Sequence, residues 1–324
     1  MVPAAPLLRV SDLRIHFEME REVVEAVNGM SFELLKGETL GFVGETGAGK
    51  TTTALGIMRL VQTPPGRVVA GSIALNGEEL LEKSEAEMRK IRGNKISMIF
   101  QDPMTSLNPV LTVGEQIQEV IRLHNDISDA EAVKRTVDML EMVGIPGERY
   151  NEYPHQFSGG MKQRVVIAIA LACSPELLIA DEPTTALDVT IQAQVLDMMR
   201  ELKEKIGTSV LMITHDLGVI AETCDKVAIV YAGQIVESGT VWQIFDNPQH
   251  PYTRGLFDSL PSLDKEVRRL KPIEGLVPNP ADLPPYCSFY ERCGRRAEAC
   301  RAGEPETVEV EPGHRVMCRC ARGE

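Results

Sequence analysis

A glycine-rich loop between an apolar strand and a helix is the feature that most restricts the fold of this 324-residue chain. Residues 44–51 read GETGAGKT, which fits the GxxxxGK[ST] pattern of a phosphate-binding loop. The apolar run Leu40–Val43 before the loop predicts a buried strand, and Thr52–Leu60 after it predicts a helix. Glycines allow several N–H groups to point inward, and a helix N-terminus favours an anion. The sequence therefore predicts an α/β fold that binds phosphate.

Two side chains of this loop carry the expected chemistry. The Lys50 ammonium is expected to reach the β- and γ-phosphates of a nucleotide, and the Thr51 hydroxyl to hold Mg²⁺. A phosphate-binding loop alone also serves kinases, GTPases and helicases. A GTPase is disfavoured because Asn94-Lys95-Ile96-Ser97 lacks the acid of the base-reading NKxD motif. The loop residues expected to contact ATP and Mg²⁺ are Gly44, Glu45, Thr46, Gly47, Ala48, Gly49, Lys50, Thr51 and Thr52.

Three later segments narrow the class of nucleotide-binding protein. Residues 157–161 read FSGGM, and residues 177–188 read LLIADEPTTALD, an apolar run that ends in two acids. Residues 211–216 read LMITHD, a second apolar run followed by a histidine. Two acids at the end of a strand are often only a solvated turn, and a lone histidine is usually structural. Taken together with the phosphate-binding loop, however, these segments resemble the ATP-binding cassette family, in which two ATPase domains enclose ATP and usually drive a transporter.

The resemblance implies a role for each motif residue. Asp181 would bind Mg²⁺, usually through water, and Glu182 would polarise the attacking water. His215 would contact the γ-phosphate. Gln101, in Met98-Ile99-Phe100-Gln101-Asp102, matches the glutamine that senses Mg²⁺ and γ-phosphate. Asp188 belongs to the segment that matches the D-loop of the family.

Two positions depart from the commonest family pattern. Phe17 matches the aromatic residue that stacks on adenine, although the family more often has tyrosine and a core position is an alternative for this ring. The signature motif is usually LSGGQ. Here Ser158, Gly159 and Gly160 are kept, but Met161 cannot donate a hydrogen bond. Ser158 is also a suitable N-cap for the following helix. The family signature faces ATP held by a partner domain, so a chain with one loop and one signature implies a second ATPase subunit.

Composition excludes several other classes. The net charge of −13 argues against nucleic acid as a partner, because a phosphate backbone attracts basic surfaces. No apolar run approaches the ~20 residues of a membrane-spanning helix. The first residues lack the charged and apolar regions of a signal peptide. We therefore expect a cytoplasmic protein that reaches a membrane only through partners.

Hydrophobic spacing predicts the domain organisation. Residues 7–35 have the strand-like stretches of an N-terminal antiparallel β-subdomain. An α-helical subdomain is expected at about 102–157, where two apolar series recur at helical spacing. Alternating strands and helices elsewhere predict a mainly parallel sheet. Proline-rich residues with little periodicity follow Pro248, so we expect a cassette over 1–247 and an extension over 248–324. The two helical series are Val113, Ile117, Val120, Ile121 and Val133, Val137, Leu140, Val143.

The extension holds five of the seven cysteines, namely Cys287, Cys293, Cys300, Cys318 and Cys320. In a cytosolic protein such a group binds metal more often than it forms disulfides. Its spacing fits no standard zinc finger, where close pairs dominate. An iron–sulfur cluster, zinc and free thiols are the alternatives.

From His250-Pro251-Tyr252-Thr253 onward, the extension resembles that of oligopeptide and dipeptide transporter ATPases, some of which carry a [4Fe–4S] cluster. The resemblance implies Cys287, Cys293, Cys300 and Cys318 as ligands, with Cys320 as an alternative to Cys318. Met161 resembles the D-type subunit, whose ATPase partner is usually a non-identical homologue.

The implied function is ATP hydrolysis that energises import of di- or oligopeptides at the cytoplasmic face of the cell membrane. The implied partners are a second ATPase, two permease subunits and, indirectly, an extracytoplasmic solute-binding protein. The alternatives are import of nickel or another small solute, a non-transport ATPase of the same fold, and a metal-sensing regulatory subunit.

Overall fold

The computed structural model describes residues 5–101, 103–185, 187–259 and 272–322. Asp102, the start of the predicted helical subdomain, and Ala186, within the predicted D-loop, lie outside the described residues. The outer ends of both predicted domains, residues 1–4 and 323–324, also lie outside them. The boundary expected at residue 247 stays a prediction.

The strands of the described residues are β1 (Leu8–Glu18), β2 (Val23–Leu34), β3 (Thr39–Val43), β4 (Gly66–Leu75), β5 (Glu78–Glu79), β6 (Ile96–Ile99), β7 (Leu177–Asp181), β8 (Ser209–Ile213), β9 (Lys226–Tyr231), β10 (Gln234–Thr240), β11 (Thr307–Glu311) and β12 (His314–Met317). The α-helices are α1 (Lys50–Ile57), α2 (Glu85–Ile91), α3 (Pro103–Ser106), α4 (Val113–His124), α5 (Asp129–Met142), α6 (Gly159–Leu171), α7 (Val189–Ile206), α8 (Leu217–Thr223), α9 (Val241–Asp246) and α10 (Pro251–Asp258). Short 3₁₀ turns span Gly147–Asn151, Pro154–Gln156, Tyr290–Arg292, Glu298–Arg301 and Arg319–Arg322.

The chain forms two compact units, each made from segments that are distant in sequence. The first unit comprises Met1–Leu8, Leu34–Thr39 and Leu75–Thr214. The second unit comprises Arg9–Glu33, Leu40–Ala74 and His215–Glu324.

In the first unit, β6, β7 and β8 lie side by side as parallel strands. Every residue of these strands is buried, which is why the sequence there reads as continuous apolar runs. Ile99 is paired with Ala180, and Asp181 with Ile213. The carboxyl ends of the strands therefore share one edge, and the residues that follow them emerge close together.

The predicted helical segment of this unit forms α3, α4 and α5. Helix α4 begins with a capping box, in which Thr112 Oγ1 accepts from the Glu115 amide and the Glu115 carboxylate accepts from the Thr112 amide. The buried face of α5 matches the predicted apolar series only in part. Leu140 and Val143 of that series are fully buried, whereas Val133 is 39% exposed. Ala132, Thr136 and Met139, which lie outside the series, are buried as well.

In the second unit, β1 and β2 form a hairpin whose turn is closed by a bond from the Met19 amide to the Glu22 carbonyl at 2.9 Å. This hairpin corresponds to the predicted antiparallel β-subdomain, and β4 lies on the other side of β1. A second group of strands has the order β11-β12-β10-β9-β3. Only β3 and β9 in this group are parallel.

The segment after Pro248 does not merely extend from the fold. Strand β12 pairs antiparallel with β10, with Glu237 opposite Val316, and β11 pairs with β12. Val308, His314 and Val316 are buried in this addition. The two strands are short and joined by a tight turn, so they leave little periodicity in the sequence.

None of the helices in the described part of the chain has both the length and the apolar character to cross a membrane.

Candidate functional site

The phosphate-binding loop lies in the second unit, between β3 and α1, as predicted. Gly49 has φ of 96° and begins the helix, and a Cβ added to it would lie 2.4 Å from the Ala26 carbonyl oxygen. A Cβ at Gly44 would lie 2.0 Å from the carbonyl oxygen of Val230. Both positions therefore require glycine, because the loop passes directly against neighbouring backbone.

The Lys50 ammonium is held inside this loop. Its Nζ donates to the carbonyl oxygens of Gly44 at 2.6 Å and Glu45 at 3.0 Å, and the residue is 8% exposed. Thr51 is exposed and Thr52 half-buried at the start of α1. The positive charge is thus buried at the turn whose N–H groups are expected to receive phosphate.

Two residues from the segment after Pro248, called the C-terminal segment below, make hydrogen bonds to Glu45. The sequence patterns did not predict either contact. Arg292 donates from Nη1 to Oε2 at 2.7 Å and from Nη2 to Oε1 at 2.9 Å. The Glu45 amide donates to the Tyr252 hydroxyl at 2.9 Å. The available signal was an acid inside an anion-binding loop, which requires a compensating cation.

Phe17 and His215 also belong to the second unit. Phe17 is half-buried on β1, and a Cβ at Gly66 would lie 2.9 Å from Cε1 of its ring, so the ring lies against the Gly66 backbone. His215 is exposed and lies in the short loop between β8 and α8. Asp216 caps α8 by accepting from the Gly218 amide at 2.8 Å.

The first unit holds the two acids at the end of β7. Asp181 is 1% exposed. Glu182 follows it, and its Oε2 accepts from Gln101 Nε2 at 3.1 Å and from Thr185 Oγ1 at 2.9 Å. The structure therefore brings the predicted Gln101 and Glu182 into direct contact. Thr185 is an additional contact that the motif did not predict.

The backbone at Glu182 is strained. Its φ of 48° lies in the left-handed region, which costs a non-glycine residue on the order of 1 kcal/mol. The Glu182 amide donates to the Ile213 carbonyl at 2.8 Å, and this bond holds the turn at the end of the strand. The conformation of the turn directs the carboxylate toward Gln101 and Thr185.

The signature segment begins α6 in the first unit. Ser158 is exposed and caps the helix, with its Oγ accepting from the Met161 amide at 3.4 Å. Among the described residues, no atom outside the chain neighbours and the helix's own backbone lies within 4 Å of a Cβ placed at Gly159, whereas one at Gly160 would lie 2.6 Å from Ile191 of α7. Gly159 thus leaves the start of the helix open, and Gly160 permits its close packing against α7.

Arg149 supports the signature and was missed by the sequence reasoning. Its Nη1 lies 3.3 Å from Met161 Sδ, and its guanidinium lies 4.2 Å from the ring centroid of Phe157. Glu152 accepts from Arg149 Nε at 2.7 Å. Met161 cannot donate a hydrogen bond, but its sulfur accepts one, so the departure from LSGGQ has a local partner.

Gln163 connects the signature helix to the acidic segment. This residue is fully buried in α6, and its Nε2 donates to the carbonyl of Pro183, the residue after Glu182. Asp188 of the predicted D-loop caps α7 by accepting from the Ile191 amide at 3.0 Å.

The predicted motif residues are divided between the units. Lys50, Thr51, Phe17 and His215 lie in the second unit, and Gln101, Ser158, Asp181, Glu182 and Asp188 lie in the first.

The predicted cysteines lie around one cavity in the second unit, which is also lined by His250 and Phe289. Burial raises the pKa of Cys287 to about 11 and raises the pKa of Cys293 and Cys318, and nearby thiols add to each shift. These three groups are therefore neutral thiols at pH 7. In the described part of the chain, no group of three or more His, Cys, Asp or Glu side chains is arranged to hold a metal ion. The cysteines lining the cavity are Cys287, Cys293, Cys300, Cys318 and Cys320.

Comparison with known proteins agrees with the motifs. The model of the ABC transporter family matches residues 27–185, and the model of the oligopeptide/dipeptide transporter C-terminal region matches residues 236–300. The oligopeptide transport ATP-binding protein AppD of Bacillus subtilis is 51% identical over 96% of this chain and 96% of its own length. OppD of Salmonella typhimurium is 50% identical over 98% of this chain and 94% of its own length.

A solved dimeric ATP-binding cassette with bound ADP and phosphate superimposes with a TM-score of 0.65 at 27% identity. The match covers 72% of this chain and 98% of the cassette. On these similarities, together with the phosphate-binding loop, the Glu182 turn and the signature helix, the chain belongs to the ABC transporter family, among the oligopeptide and dipeptide transport ATP-binding proteins.

Proposed function

We propose that this chain binds and hydrolyses MgATP as the energising subunit of an importer for di- or oligopeptides. The observation that carries the hydrolytic role is the Glu182 carboxylate, which Gln101 and Thr185 hold at a strained strand end. A carboxylate fixed by two donors is suited to orient water without a large reorganisation. The names of relatives such as AppD support peptide as the transported solute.

Each loop and strand-end residue has a distinct task in this proposal. Lys50 neutralises the β- and γ-phosphates, and Phe17 stacks on adenine. Glu182 accepts a proton from the attacking water, while His215 and Gln101 position the γ-phosphate and the water. Mg²⁺ prefers oxygen ligands, and the Thr51 hydroxyl and Asp181 carboxylate are of that type; the ion would neutralise phosphate charge. The remaining loop residues 44–49 and Thr52 supply backbone N–H groups or line the site.

A second ATPase subunit is needed in this proposal. The signature residues Ser158, Gly159, Gly160 and Met161 begin a helix, and Ser158 and Gly159 are exposed. They would receive the γ-phosphate of ATP on a partner, with Asp188 beside the same interface. We expect a non-identical partner ATPase, two permease subunits and an extracytoplasmic solute-binding protein. The chain would lie peripherally at the cytoplasmic face, with a cassette over 1–247 and an extension over 248–324.

The cysteine cavity is proposed to hold a [4Fe–4S] cluster through Cys287, Cys293, Cys300 and Cys318, with Cys320 as the alternative to Cys318. Thiolate is the ligand that such clusters use. The four cysteines line one cavity and would supply these thiolates together. The irons of the cluster would also bind the deprotonated form of these groups, whose pKa burial and, to a lesser extent, the neighbouring cysteines now raise.

Purification from the native membrane tests the transport role. The tagged full chain should bring two permease subunits and a second ATPase with it, and a deletion strain should lose uptake of a radiolabelled tripeptide. Wild-type chain should restore uptake, and Glu182→Gln should not. Normal tripeptide uptake in the deletion strain, with loss of ⁶³Ni²⁺ uptake, would instead establish the nickel alternative. Absence of both membrane partners would overturn the transport proposal.

A further inference from the structure

The phosphate-binding loop contains an acid at a position where negative charge is unfavourable. Glu45 immediately follows Gly44, and Lys50 Nζ lies 3.0 Å from the Glu45 carbonyl oxygen. A free carboxylate on this loop would repel the bound phosphates. The Glu45 side chain is 29% exposed, so solvent screens its charge only in part. Phosphate binding therefore depends on the group that neutralises the Glu45 carboxylate and holds it away from the phosphates.

Arg292 performs this neutralisation through a two-pronged contact. Both terminal nitrogens donate to the two carboxylate oxygens of Glu45, at 2.7 and 2.9 Å. The Arg292 side chain is only 5% exposed. Paired, parallel hydrogen bonds fix the direction of a carboxylate as well as its charge.

The guanidinium is itself fixed by further acceptors. Arg292 Nε donates to the Glu274 carbonyl at 3.2 Å, and Nη2 donates to the Ile273 carbonyl at 3.3 Å. Its hydrogen bonds to Glu45 raise the pKa of Arg292 above its usual range, so the charge is permanent. The two terminal nitrogens of Arg292 are therefore already positioned before any ligand binds.

A second contact holds the backbone of the same loop residue. The Tyr252 hydroxyl accepts from the Glu45 amide, and the Tyr252 ring is fully buried. Its ring centroid lies 4.6 Å from that of Tyr231 and 5.5 Å from that of Phe289. The C-terminal segment thus determines both the carboxylate and the main chain of Glu45.

We propose that the C-terminal segment sets the affinity of the phosphate-binding loop for ATP, with Arg292 as the positioning residue acting through Glu45. Arg292 does not reach the reacting atoms in this proposal. It removes the repulsion between Glu45 and the phosphates and holds the loop open to them. The proposal rests on the proposed binding of ATP by this loop, and it adds a residue outside the cassette motifs to that function.

The test is a thermodynamic cycle on the full chain, with MgATP binding measured by calorimetry. Arg292→Ala should weaken binding about 10-fold, the scale expected for losing a charge-assisted pair that is partly buried. Arg292→Lys keeps the charge without the fork and should weaken it about 3-fold. In a Glu45→Gln background the same Arg292→Ala change should alter Kd less than 2-fold, because no carboxylate is left to neutralise.

Arg301→Ala is the matched control. Arg301 belongs to the same segment, but its guanidinium lies 4.7 Å from the ring centroid of Tyr290 and its Nη2 pairs with Glu291 Oε1 at 3.5 Å. Its removal should leave Kd unchanged. Lys50→Ala should abolish binding whatever the role of Arg292, which separates this test from a test of ATP binding itself. An equal loss from Arg292→Ala in both backgrounds would mean that Arg292 only stabilises the segment, and would overturn the proposal. No loss in the wild-type background would also overturn it.

Discussion

The Nε2 amide of Gln101 donates to Oε2 of Glu182 over 3.1 Å, although 81 positions separate the two residues in sequence. Parallel pairing of β6 and β7 explains the contact, since both residues follow strands that end at the same edge. Thr185 donates to the same oxygen. Oε2 of Glu182 therefore accepts two side-chain hydrogen bonds. These two bonds also orient the second carboxylate oxygen, Oε1.

Glu182→Gln should stop ATP turnover while retaining MgATP binding. The amide keeps the shape of the side chain but cannot accept a proton from water, so we expect steady-state hydrolysis in the assembled transporter to fall at least ~100-fold. Binding should change little because Lys50 and Thr51 are untouched. Near-normal hydrolysis would remove Glu182 from the role of base.

Thr185→Val should lower kcat about 5-fold and leave the KM for ATP unchanged. The substitution removes one of the two donors that orient Glu182 but preserves side-chain volume. Thr185→Ser keeps the hydroxyl and is the control, which should restore most of the rate. A proportionate rise in KM, or no rescue by serine, would indicate that Thr185 only supports the fold.

Ser158→Arg should impair the ATP site whose phosphate-binding loop lies on the partner ATPase. The exposed start of α6 would be blocked by a long charged side chain. Ser158→Ala tests the capping role alone, and loss of that cap costs about 1 kcal/mol of stability. Single-turnover hydrolysis, measured with the phosphate-binding loop of the partner ATPase left intact, would separate the blocked shared site from the lost helix cap. Vigorous hydrolysis by a verified monomer of this chain would contradict the shared site.

Anaerobically purified protein should be brown and absorb broadly near ~400 nm if the cysteine cavity holds a [4Fe–4S] cluster. Serine at Cys287, Cys293, Cys300 or Cys318 should remove the colour and the iron. Cys173→Ser and Cys224→Ser are controls, because both residues lie outside the cavity lining. Colourless protein with one zinc per chain would identify a different metal, and protein without metal would leave free thiols.

His250 should make the stability of the second unit depend on pH. Burial lowers the pKa of this side chain to about 3, from an ordinary value near 6.5. The unfolded chain then binds a proton that the folded chain does not, so the stabilisation is present above pH 6.5 and is lost as pH falls toward 3. At pH 5 the loss is about 2 kcal/mol.

Urea unfolding at pH 7 and pH 5 measures this effect. His250→Asn is the matched variant, since an asparagine oxygen can replace Nδ1 as acceptor for the Tyr252 amide without titrating. Its unfolding midpoint should depend less on pH than that of the wild type. An equal dependence in both proteins would assign the proton uptake to another group.

Much of the fold could be predicted from the sequence because its strands and helices follow from local residue patterns. The strand before the phosphate-binding loop begins at Thr39, one residue earlier than predicted. Spacing was less informative about which face of a helix is buried. In α5 the apolar series includes both the exposed Val133 and the buried Leu140, and Thr136, which is outside the series, is buried as well. A short series of valines does not contain that information.

The sequence by itself determined the phosphate-binding loop, the strand-end acids and the signature, because each is a contiguous motif whose chemistry depends on adjacent residues. Only the tertiary structure decided that Arg292 neutralises Glu45 across 247 positions, that Gln163 bonds to Pro183, and that β12 pairs with β10. Such contacts depend on the path of the chain through space. Side-chain periodicity indicates the type of each element and approximately which of its residues are buried, but it does not indicate which distant residue lies opposite each of them.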